Sequence, residues 1–407
     1  MTGDNLYETF HVSGVEQAEL ESVLLDYFHG ARSVTADEIV YPGDATEYAL
    51  KLSYEDGTLV GIFPGPKLTA SDIEAVQAKV ASELLSSEGA RVGRYILFGS
   101  VPVSGYFHYR DRFQILPVPP DAPRPEFLLG DHPFLLEFQF PATSNSMLRQ
   151  ARRAAREREC ELLATGLLEF SIHGLGRMAR HHWVLPQSDP KEPWRSVYCQ
   201  EMYTWPGLSL EGDRFTPTEG LGSLMEIAPQ EYYSRSGISP ERHLEIPSNL
   251  TALLDTFYAL AKRNRERFLR ACFWFQQAHR AYSRSRSASF TALIGAVEAL
   301  IPRERTSSVC PECRRTLGPG ATQQFAEFVE RFAPGSGLPE AERKRFYGIR
   351  SALSHGGALL HSDRTDWSGG FGPRQIKEWD DIGTAWSLVR VVLVNWLWSQ
   401  PTSPGAI

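Results

Sequence analysis

RFYGIRSALSHGG, Arg345–Gly357, is the stretch whose reading decides what the C-terminal part of this chain is. It reads as the end of an amphipathic helix closed by Gly356 and Gly357. It carries an arginine, Arg350, and a histidine, His355, with four residues between them. No carboxylate cluster accompanies them. Histidine moves protons near neutral pH. Arginine keeps its charge and clamps phosphate oxygens through parallel hydrogen bonds. The two residue types together suit cleavage of a phosphodiester without a metal.

Working outward, helical periodicity dominates everything after Pro247. Asn249–Ser285 repeats Leu250, Leu253, Leu254, Phe257, Leu260 and Ala261 at helical spacing, with room for one break. Ser287–Ile301 is a second helix ended by Pro302, and Gln323–Phe332, Pro339–Ser354 and Ile376–Trp398 follow. Residues 248–400 therefore read as an all-α bundle. Residues 1–245 carry shorter strand and turn signals and form an α+β region of one or two subdomains. There, Glu55-Asp56-Gly57 marks a hairpin between Tyr48–Tyr54 and Thr58–Phe63. Ser71-Asp72-Ile73-Glu74 reads as a capping box opening a helix. Arg94–Val103, Gly105–Tyr109, Arg112–Val118, Phe134–Phe140, Leu167–His173 and His182–Leu185 read as strands, Pro117–Pro125 as a stiff connector, and Ser144–Leu163 as a helix. The fold class expected is thus multidomain α+β, a mixed N-terminal region followed by a helical bundle.

Net charge of −7 argues against a general nucleic-acid coat protein but leaves room for a local basic site. Five cysteines with one close pair do not make a disulfide framework, and the N-terminal residues lack a secretion signal, so a reducing cytoplasm is the expected location. Trp386–Trp398, the longest apolar run, contains Arg390 and Asn395 and is too short for a bilayer, so no membrane partner is expected.

With FTALIGAVEALI at Phe290–Ile301, the Cys310-Pro-Glu-Cys313 insertion, and FYGIRSALSHG at Phe346–Gly356, the chain resembles the HEPN superfamily. The closest likeness is to its Apea-like branch, over roughly residues 250–400. The resemblance implies Arg350 and His355 as the catalytic pair of an endoribonuclease using no cofactor for catalysis. It implies RNA as substrate, a homodimer across the bundle, and a role in bacterial abortive-infection defence. A phage-derived or cellular trigger would then act at the N-terminal region. Ser351 stands where many active members place Asn, Asp or His. That departure favours an alternative, a non-catalytic dimerisation module that binds nucleotide or RNA beside an N-terminal partner-recognition region.

Other residues bear on this chemistry. Glu298 lies near the stripe Phe290, Leu293, Ile294, Val297, Ile301 and either orients Arg350 or His355 or sits in solvent at the edge of the stripe. Arg263, Arg265, Arg267 and Arg270, then Arg280, Arg284 and Arg286, offer phosphate contacts or a salt-bridged face, with the last three the candidate RNA-binding residues. Arg149, Arg152, Arg153, Arg156 and Arg158 read as a solvated, salt-bridged face. Cys310 and Cys313 are half of a structural zinc site, to be completed by a second copy, His361 or Cys272, or else are two reduced thiols.

Overall fold

A computed structural model describes the chain apart from residues 1–4, 11–14, 32, 44–47, 126–130, 169–170, 175–182, 187–193, 198–202, 236–241, 303–307, 310–315, 318–319, 365–371 and 402–407. The fold is mixed α/β, with helices and several separate sheets. Spatial compactness gives two units that interleave in sequence. The first comprises residues 1–93, 138–158 and 210–215, and the second comprises 94–137, 159–209 and 216–407. The expected boundary near residue 245 separates strand-bearing from helical sequence, which is a different division of the chain.

The first unit begins with α1 (Tyr7–Phe10) and α2 (Gln17–Tyr27). An antiparallel sheet β1 (Ser33–Val34), β2 (Glu38–Pro42), β3 (Tyr48–Glu55), β4 (Thr58–Pro64) and helix α3 (Ala70–Leu85) follow. The Asp56-Gly57 turn joins β3 to β4 with both residues at positive φ, 50° and 75°, the conformation an Asp-Gly hairpin demands. The cap of α3 lies two residues upstream of its expected place. Thr69 Oγ1 accepts from Asp72 N at 3.2 Å while Asp72 Oδ2 accepts from Thr69 N at 2.9 Å. Leu24, Leu50, Leu52, Ile62, Val80 and Leu148 are among the residues that close this unit's core. Arg152 is a correction to the solvated reading of its run. It is buried, donating to Leu84 O at 2.6 Å and Ser86 O at 3.1 Å and pairing with Glu19 at 3.3 Å. Two carbonyls and a carboxylate compensate the buried charge.

Next along the chain come β5 (Ala90–Gly99), β6 (Phe107–Tyr109), β7 (Phe113–Pro117), β8 (Arg124–Pro125), β9 (His132–Pro141), α4 (Ser146–Leu167) and β10 (His173–Gly174). The sheet order is β10–β5–β9–β7–β6. Two expectations fail here. Leu167 ends α4 instead of opening a strand, and among the described residues of that segment His173–Gly174 pairs with β5, because Leu162, Leu163 and Leu167 continue the buried stripe of the helix. Arg124–Pro125 is no mere connector but pairs with β11 (Trp183–Pro186), itself hairpinned to β12 (Trp194–Val197). In the second unit, buried Glu137 on β9 accepts from Arg94 Nε at 2.6 Å, Gln114 Nε2 at 2.6 Å, and Thr216 through N at 2.7 Å and Oγ1 at 2.6 Å. A buried carboxylate so fully bonded fixes the strands around it.

After β13 (Glu211–Gly212), β14 (Met225–Ile227), α5 (Pro229–Ser234) and β15 (Glu245–Pro247), helices take over. They are α6 (Leu250–Ala259), α7 (Lys262–Tyr282) and α8 (Arg286–Leu300). The long segment breaks at Leu260–Ala261, whose backbones are not helical. A short ribbon, β16 (Ser308–Val309) with β17 (Thr316–Leu317), brackets the cysteine insertion, a strand pair the helical reading omitted. Helices α9 (Ala321–Phe332), α10 (Glu340–Ser354) and α11 (Pro373–Trp398) complete the described elements. Helix α7 packs along α8, α10 against α8 and α9, and α11 against α8. Phe268, Cys272 and Phe275 recur at helical spacing on α7; across helices Phe268 stacks on Trp396 at 6.0 Å and Phe290 meets Phe346 edge to face at 5.6 Å. Among the described residues no helix is long and apolar enough to cross a membrane.

Candidate functional site

Helix α8 starts where Ser285 and Asp363 cap it together. Ser285 Oγ accepts from Ala288 N at 3.1 Å, and Asp363 accepts from Arg286 N at 2.8 Å, Ser287 N at 2.7 Å and Ser285 Oγ at 2.8 Å. Burial alone pushes the Asp363 carboxyl up. The hydrogen bonds from Ser287, Ser285 and the Arg286 backbone outweigh it and hold the carboxyl below its ordinary value. Phe290, Leu293, Ile294 and Val297 are buried, which leaves Glu298 at the edge of the stripe, its side chain 24% exposed.

Helix α10 opens with Glu340 and Glu342 in its first turn, favourable charges for a helix N-terminus. Arg345 forks onto Asp381 of α11 at 2.9 and 2.6 Å, bolting the two helices together. One turn further on, Arg350 Nη2 meets Glu298 Oε2 at 2.7 Å, and Tyr347 donates its hydroxyl to Glu298 Oε1 at 3.2 Å. Glu298 thus uses both oxygens to hold two side chains of the neighbouring helix. Burial, then the Glu298 charge, raises the Tyr347 phenol above its ordinary value. One guanidinium N–H serves Glu298, and Arg350 Nε is buried without a hydrogen-bond partner among the described residues.

The helix ends at His355. Gly356, at φ +69°, donates to Leu353 O at 3.1 Å, and Gly357 donates to Ala352 O at 2.9 Å, the paired bonds of a Schellman terminus. The first glycine of the motif is therefore a structural stop. His355 itself is exposed as the C-cap. Beyond it, Leu360 N donates to Ser287 Oγ at 2.8 Å, and the backbone N–H groups of His361 and Ser362 donate to Glu378, so the following segment is tied to α8 and α11.

Of the sequence-derived site residues, Arg350 and Glu298 are brought into contact, whereas His355 stands apart on the same helix. Five residues advance an α-helix by about 500° and ~7.5 Å, so Arg350 and His355 do not share a face. Tyr347 was not foreseen, although its place three residues before Arg350 puts it on the same side. The candidate RNA contacts separate. Arg280 enters a buried network with Gln276 Oε1 at 2.7 Å and Glu161 at 3.4 Å. Arg286 lies on the Tyr282 ring at 3.2 Å. Arg284 is exposed. Cys310 and Cys313 lie outside the described residues, His361 is half-buried and Cys272 is fully buried. Among the described residues no group of three or more His, Cys, Asp or Glu side chains is placed to hold a metal ion.

A groove of about 1200 Å³ is lined by Tyr233, Asn249 and the Trp379, Ser387, Asn395 and Trp398 face of α11, and none of Arg350, His355 or Glu298 lines it. Comparison with family models, with curated proteins and with solved structures gave no match for the chain.

Proposed function

We propose that this protein is a metal-independent endoribonuclease of the HEPN type, in which Arg350 and His355 carry the reaction. The observation that carries the reading is the Glu298–Arg350 pair at 2.7 Å, buttressed by Tyr347, on the helix that ends in exposed His355. Glu298 fixes the guanidinium while leaving most of its five N–H groups for phosphate oxygens. The RNA 2′-hydroxyl gives up its proton as its oxygen bonds to phosphorus. The P–O5′ bond breaks, and the leaving oxygen takes a proton. The products are a 2′,3′-cyclic phosphate and a 5′-hydroxyl. His355 transfers one of these protons, and Arg350 stabilises charge growing on the non-bridging oxygens. Because the two side chains do not share a face, a homodimer in which a second copy completes the pair fits this reading. The resemblance adds a role in bacterial antiviral defence, with the strand-bearing N-terminal region answering a trigger.

Arg350→Ala and His355→Ala are expected each to lower cleavage of a single-stranded RNA at least 100-fold, roughly what loss of one acid–base or charge-stabilising group costs. Circular dichroism and sedimentation should remain those of the wild type. Variants that cut normally, or that unfold, refute the assignment. The same separation of Arg350 from His355 favours a second reading, a nucleotide- or RNA-binding module without chemistry. Tight RNA binding by a wild type that leaves the RNA intact would support it.

A further inference from the structure

Ten arginines of this acidic protein are held by carboxylates. Arg94, Arg110, Arg152, Arg153, Arg235, Arg242, Arg280, Arg343, Arg345 and Arg350 all have carboxylate partners. Helix α7 carries a regular row of arginines outside this set. Arg263, Arg270 and Arg284 are exposed, and their guanidinium groups meet no carboxylate among the described residues. With half-buried Gln277 they stand at seven-residue intervals, a spacing of about two turns and ~10.5 Å that keeps them on one face. Arg284 follows the helix directly, its N–H still bonded to Ala281 O at 2.9 Å through an α-conformation Ser283. Phe273 and Trp274 interrupt the basic row and are 37% and 41% exposed, large apolar area left open to solvent. One carboxylate, Glu266, lies on this face, 3.9 Å from Lys262.

The position of Trp274 ties this face to the site. Its indole lies over α8 at Gly295, where an added Cβ would come 3.7 Å from indole Cδ2. Glu298, which holds Arg350, is one turn further along α8. A basic row of roughly 30 Å, interleaved with open aromatic rings and leading toward Arg350, has the make-up of a single-strand track: cations for phosphates and π-faces for unstacked bases. A duplex hides its base faces and leaves the rings without a partner.

We propose that the exposed face of α7, through Arg263, Arg270, Phe273, Trp274 and Arg284, binds single-stranded RNA and leads it to Arg350. The choice of RNA rests on the cleavage reading. Binding to the face does not. The test uses the full-length protein and a short, fluorescently labelled 2′-O-methyl oligouridine, which lacks the attacking hydroxyl and cannot be cut. Fluorescence anisotropy across a salt series is expected to give a log–log slope near −2, from about three phosphate contacts. Each of Arg263→Ala, Arg270→Ala and Arg284→Ala should flatten that slope by about 0.7. Trp274→Leu should weaken binding roughly 5- to 150-fold with the slope unchanged, and Trp274→Phe, which keeps a ring, should restore most of it. No binding at low salt, or arginine variants that leave the slope alone, would overturn the proposal. So would equal competition by a polyglutamate peptide, which would mark the face as a protein-docking surface. The two readings fail separately. Oligonucleotide bound as described with no RNA ever cut removes the nuclease and keeps the track. RNA cut equally well by all the α7 variants, with their binding unchanged, removes the track and keeps the nuclease.

Discussion

At the scale of residues, the site is built around a shared carboxylate. Glu298 holds Arg350 at 2.7 Å and Tyr347 at 3.2 Å, with Phe325 packed on the tyrosine ring at 5.4 Å. Since the pair is a quarter exposed, water screens it and its contribution to stability is small. Glu298→Gln is therefore expected to cost about 1 kcal/mol or less in urea denaturation. Cleavage should fall at least tenfold, the arginine being no longer fixed. A variant that unfolds, or one that cuts as fast as the wild type, would mean Glu298 has no positioning role. The amphipathic pattern of α8 put Glu298 at the edge of the buried stripe, so its choice between solvent and a neighbouring helix was open from sequence alone. Its partner lies 52 residues away in sequence, and only packing brings α10 beside α8.

At the scale of elements, the Arg350–Gly357 stretch divides into the residues of the proposed chemistry and those of the helix terminus. Gly356 occupies the left-handed conformation that ends α10, and Gly357 does not. Gly356→Ala should cost roughly 1–2 kcal/mol, because a Cβ is penalised in that conformation. Gly357→Ala should stay within about 0.5 kcal/mol, since among the described residues the added Cβ would meet Ala352 O alone, at an ordinary 3.6 Å. Equal costs for the two changes, read from urea midpoints, would contradict the terminus described. The helices after residue 248 were legible because their apolar residues recur at helical spacing over many turns, as in Phe268–Phe275 of α7. The Asp56-Gly57 hairpin was legible from the positive φ its turn requires. Short apolar runs were not. Leu167–His173 has the composition of a strand, yet its first residue belongs to the buried stripe of α4, and a run of that length does not distinguish the two periods. Likewise, the arginine run at 149–158 does not announce that Arg152 finds two carbonyls and Glu19.

At the scale of the molecule, the second unit contains a buried ionisable cluster that the proposed chemistry does not use. His173 is fully buried, with Nδ1 donating to Ser171 O at 2.8 Å and Nε2 facing Asp131 at 3.3 Å. Nearby, burial is the main cause that pushes His279 down to about 4, with the charges of His173 and Arg280 adding to it and Asp131 opposing. The sign follows. The folded pKa lies below the unfolded value of about 6.5, so the unfolded chain binds more protons between them. Stability is full above pH ~6.5 and is lost as pH falls toward about 4. His279→Gln should flatten this part of the stability profile, and an unchanged slope would show that other groups carry the acid sensitivity. This cluster concerns folding, whereas the proposed cleavage depends on Arg350 and His355. Its most direct test is RNA cleavage by wild-type protein and His355→Ala in excess EDTA, with the ends of the fragments identified. Cleavage by the wild type alone, leaving 2′,3′-cyclic phosphate and 5′-hydroxyl ends, is the expected result. Cleavage that stops in EDTA, or that His355→Ala carries out equally well, would contradict the account.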